Sequence, residues 1–80
     1  MMINYEAIAL EFARKLGYDS IRKAGEKDGN MYFHIFWKNS PRYVGCHYIK
    51  VTPDGTCLRL EDFTEEWHWA SHQEVLLNNF

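Results

Sequence analysis

What this chain has little of sets limits before any pattern is read. It holds two cysteines, Cys46 and Cys57, and two prolines, Pro41 and Pro53. Two thiols far apart in the chain make neither a zinc framework nor a disulfide scaffold, so both are expected to be free in a reducing, cytoplasmic setting. No run of about 18 apolar residues occurs, which argues against a membrane-spanning helix. The first residues lack a basic stretch followed by an apolar segment and a cleavage site, so no secretory signal is expected. An excess of positive charge is missing too. With a formal net charge of -2 and a pI near 6.0, the chain has no global attraction for nucleic acid or an anionic membrane. Glycine-rich phosphate loops, paired carboxylates and a serine triad signature are also absent. The sequence therefore names no catalytic residue, no metal site and no cofactor.

What is present is apolar and aromatic. Hydrophobic residues make up 46% and aromatics 16% of 80 residues, enough for one folded domain over 1–80 rather than a disordered chain. A chain this short buries only about 60% of its unfolded surface, which leaves little room for a catalytic cavity beside a core. Charge is unevenly placed. Residues 1–60 carry all nine Lys and Arg against six acids, whereas residues 61–80 carry five acids (Glu61, Asp62, Glu65, Glu66, Glu74) and no Lys or Arg. Most of that acid falls where a last helix should begin, which suits the helix dipole.

The most informative stretch is Met31-Tyr32-Phe33-His34-Ile35-Phe36-Trp37-Lys38, whose side chains alternate between two sets. In a strand, Met31, Phe33, Ile35 and Trp37 share one face, and Tyr32, His34, Phe36 and Lys38 the other. Before it, Asn4 is placed to cap a helix carrying Tyr5, Ile8, Ala9, Phe12 and Leu16 at helical spacing and ending at Gly17. Residues 20–25 read as an edge strand, with Glu26 to Asn30 as a turn. After a turn around Pro41 come a third strand over 43–51, the turn Thr52-Pro53-Asp54-Gly55 and a fourth strand over 56–61. A four-residue loop sets Val51 against Thr56, Ile49 against Leu58 and His47 against Leu60. A final helix starts with Asp62 or Thr64 as cap and carries Trp69, Ala70, Gln73, Leu76, Leu77 and Phe80 on one side.

The predicted architecture is α+β in the order αββββα: a two-layer sandwich whose four-stranded antiparallel meander bears both helices on the face of Phe33, Ile35, Ile49 and Leu58. The other face would then lie open with Tyr32, His34, Phe36, Tyr48, Lys50 and Arg59. Those six residues are the sequence-based candidates for binding a protein partner or a second copy in a homodimer. The reading is of a small non-enzymatic binding or regulatory protein, of the kind that phage or mobile-element accessory and inhibitor proteins represent. Two alternatives are carried. One is a metal-binding protein or enzyme centred on His68 and His72, four residues apart on the last helix. The other is a sheet face that stacks single-stranded nucleic acid, which the net charge disfavours.

Overall fold

The computed structural model describes residues 3–39 and 47–78. Helix α1 spans Tyr5–Lys15 and is closed at both ends by its own sequence. Asn4 adopts an extended backbone and its side chain accepts from the Ala7 N–H at 3.1 Å. At the other end Gly17 takes φ +96, while Gly17 N–H donates to the Arg14 carbonyl and Tyr18 N–H to the Ala13 carbonyl. This is the pair of reversed bonds that ends a helix on a left-handed glycine. The helix lays Ala9 and Ala13 flat against Phe33, Ile35, Ile49 and Val51, with Ile8 and Phe12 at the margin.

Strands β1 (Ser20–Lys27), β2 (Asn30–Phe36), β3 (His47–Val51) and β4 (Cys57–Arg59) form one antiparallel sheet in the order β1-β2-β3-β4. The fold is α+β with the order αββββα, closed by helix α2 (Glu65–Asn78). The β1–β2 turn is the dipeptide Asp28-Gly29, whose φ values of 53 and 82 suit the twist of a two-residue hairpin. It lies inside the longer turn expected from the sequence, because β1 runs two residues further. Ser40 to Cys46, and with them the turn around Pro41 and the start of the third strand, lie outside the described residues.

Two expectations are corrected. The first concerns the last hairpin. Val51 faces Cys57, Lys50 faces Leu58 and Ile49 faces Arg59, one residue away from the register argued from apolar pairing. Thr52 N–H donates to the Thr56 carbonyl and Gly55 N–H to the Thr52 carbonyl. The loop is thus the three residues Pro53-Asp54-Gly55, with Gly55 left-handed at φ +89. Cys57 consequently packs toward α1, and Leu58 moves to the opposite face.

The second correction concerns sidedness. The helices do not share a face. α2 packs through Ala70 onto Ala24, Tyr32, Tyr48 and Leu60, on the side of the sheet away from α1, so the layers are α1, sheet and α2. A bulge makes room for it. Lys23 pairs with Phe33 and Gly25 with Tyr32, leaving Ala24 as the extra residue. Ala24 and Gly25 are both buried, and a Cβ on Gly25 would lie 3.0 Å from Trp69 Cη2 and 3.1 Å from Gln73 Cβ. Gly25→Val is therefore expected to lower stability by about 1–3 kcal/mol. Urea unfolding with Trp fluorescence measures it, and an unchanged midpoint would remove Gly25 from the account of how α2 sits.

Candidate functional site

The open aromatic face expected from the sequence is instead the interior of the α2–sheet interface. Tyr32, His34 and Tyr48 are buried, while Phe36 and Lys50 are half-buried. Arg59 belongs to the other face, where its guanidinium donates to His47 Nδ1 at 2.9 Å. The polar tips of the sheet meet carboxylates of α2. Glu66, Ala70 and Glu74 recur every four residues and so share one side of the helix.

Glu66 Oε2 accepts from Tyr32 Oη at 2.6 Å and from Lys50 Nζ at 2.9 Å. One turn past Ala70, Glu74 accepts from Tyr48 Oη at 2.7 Å through Oε1. Its Oε2 takes His34 Nδ1 at 2.7 Å and Arg22 Nε at 3.0 Å. Arg22 also rests against the Phe36 ring, 5.8 Å from its centroid. With Glu74 as acceptor, His34 carries its proton on Nδ1; its Nε2 is sealed from solvent with no hydrogen-bond partner.

The environment sets the protonation of these groups. Burial pushes the Glu74 carboxyl up, but the hydrogen bonds from His34, Tyr48 and Arg22 outweigh it and hold the group at about 2. Glu66 follows the same logic: burial raises it, and the hydrogen bonds from Lys50 and Tyr32 bring it below its ordinary value. Burial, then the bond to Glu66, pushes the Tyr32 phenol up. Burial also pushes the Cys57 thiol up to about 11, which makes it a poor nucleophile. Cys46 lies outside the described residues.

His47 is half-buried on the α1 side beneath Tyr18. Tyr18 in turn stacks on Trp37 at 4.5 Å. Asp62 lies 3.5 Å from His47 Nδ1, but that nitrogen already accepts from Arg59. His68 and His72 are exposed on α2. Among the described residues no group of three His, Cys, Asp or Glu is placed to hold a metal ion, and no helix is long and apolar enough to cross a membrane.

What remains at the surface is a region missed from the sequence, where β4 approaches the start of α2. Thr64 caps the helix, its hydroxyl accepting from the Trp67 N–H at 3.3 Å, and the preceding loop holds Phe63 at φ +66. Phe63 is 73% exposed and Leu58 49% exposed. The Phe63 ring lies 5.0 Å from that of Trp67, which continues inward to Tyr48 at 5.8 Å. Beside them runs a shallow groove of about 760 Å³ lined by residues of β3, β4, the loop and the first turn of α2. The only sequence signals were an apolar residue on the fourth strand and an aromatic just before a helix cap. Compared with known protein families, curated proteins and solved structures, the chain matches none.

Proposed function

We propose that this is a non-enzymatic protein-binding module whose contact surface is the corner formed by Leu58, Phe63 and the outer edge of Trp67. The observation that carries the reading is Phe63. A bulky residue in the left-handed region costs roughly 1–3 kcal/mol, and this one recovers little by burial because 73% of it faces solvent. Folding alone does not account for such a residue. Large aromatics beside a half-exposed leucine are the anchors from which protein interfaces are built. The candidates Tyr32, His34 and Tyr48 support the surface from within, by fixing α2, rather than touching a partner.

The test is a displayed-peptide selection on the native protein, followed by affinity measurement on Leu58→Asp and Phe63→Asn. Asparagine tolerates the left-handed conformation, so Phe63→Asn is expected to fold with stability within about 0.5 kcal/mol of the parent. Peptides recovered on the parent should bind it at least about tenfold more weakly. Selections that enrich nothing, or binders indifferent to both substitutions, would sink the proposal.

A further inference from the structure

We infer that a partner engages this corner by adding an extended, basic strand to the outer edge of β4; the inference rests on the protein-binding reading above. Strand β4 ends the sheet among the described residues. Its pairing fixes which backbone groups face outward. Leu60 N–H donates to the Tyr48 carbonyl at 2.9 Å, and in an antiparallel ladder alternate residues direct their main chain to the same side. Leu58 and Leu60 therefore turn toward β3, and the N–H and C=O groups of Cys57 and Arg59 turn away from it.

Exposed sheet edges are usually blunted by proline or charge, and an edge left apolar invites strand pairing. Here the exposed position on the α2 side of β4 is Leu58. An incoming strand would rest one side chain in two against it, and its main chain on Cys57 and Arg59.

Charge selects the occupant. The groove lining sets four carboxylates, Glu61, Asp62, Glu65 and Glu66, against two cations, Lys50 and Arg59, and Lys50 is already paired with Glu66 at 2.9 Å. Glu61 and Glu65, which line the same groove, have no ion-pair partner among the described residues. A groove with uncompensated negative charge favours Lys or Arg and repels acids. Since strand side chains alternate, the fitting partner is a protein segment in which Lys or Arg alternates with an apolar residue.

The probe is the peptide acetyl-Lys-Val-Lys-Val-Lys-Val-amide, added to isotope-labelled protein while amide exchange is followed by NMR. The Lys–Val peptide is expected to slow exchange of the Cys57 and Arg59 amides by about tenfold or more at saturation, with binding weakened by salt. A peptide methylated at every backbone nitrogen, which keeps the side chains but has no main-chain donors, and a Glu–Val peptide should have no effect. Unchanged exchange at those amides, or equal binding by either control, overturns the inference. So does protection that rises with protein concentration alone, since the occupant would then be a second copy. Should displayed peptides bind through Phe63 while Cys57 and Arg59 stay unprotected, protein binding stands and strand addition falls.

Discussion

Glu74→Ala is expected to undock α2 and bring the protein to the edge of unfolding. Glu74 is 6% exposed, and its carboxylate collects hydrogen bonds from His34, Tyr48 and Arg22. Truncation leaves the Tyr48 hydroxyl and His34 Nδ1 buried without this acceptor, beside a His34 Nε2 that already has none. Removing one member of a buried, charged network costs roughly 3–5 kcal/mol, against about 5–15 kcal/mol for a whole domain. Glu74→Gln preserves the shape and part of the hydrogen bonding, so it should lose less. Urea unfolding followed through Trp67 and Trp69 measures both. Equal midpoints for parent and Glu74→Ala would show that the network does not hold the helix.

Acid is expected to reproduce much of that loss without mutation. Glu74 titrates at about 2 in the folded protein, from an ordinary 4.5, and Glu66 is lowered as well. A carboxylate whose folded pKa is depressed contributes stability that is complete above its unfolded pKa and is lost as pH falls through the folded one. At 1.36 kcal/mol per unit, Glu74 alone contributes roughly 3 kcal/mol, which disappears between about pH 4.5 and pH 2. Urea midpoints measured through that range should fall steadily in the parent and much less in Glu74→Gln. A parent as acid-resistant as the variant would contradict the assignment.

Much of the fold was legible in local chemistry. Asn4 and Gly17 marked both ends of α1, the Asp28-Gly29 turn lay inside a recognised turn region, and the alternation of residues 31–36 gave the central strand with its two faces. The register of the last hairpin was not legible, because Gly55 serves as a left-handed third loop residue rather than closing a four-residue turn. Nor was the bulge, since nothing in the order Ala24-Gly25 announces an inserted residue.

The larger miss has one cause. A helix was sought for the sheet by matching apolar stripes, which selected Leu76 and Leu77, both of which the structure leaves exposed. The inner side of α2 is Glu66, Ala70 and Glu74, and it matches hydroxyl, imidazole, ammonium and guanidinium tips on the sheet. The signal was present as an acidic final segment following a body with surplus Lys and Arg. Its complement lay within the same chain, so the face read as an open binding surface was already occupied. The candidate site shifted accordingly to the corner beside β4.

Placement of the two helices on opposite faces of the sheet underlies every other statement, and NMR distance contacts from alanine methyl groups test it most directly. The Ala70 methyl should show contacts to the rings of Tyr32 and Tyr48, while those of Ala9 and Ala13 show contacts to Phe33 and Ile49. Ala70 contacts to Phe33 or Ile49, with none to Tyr48, would contradict the account.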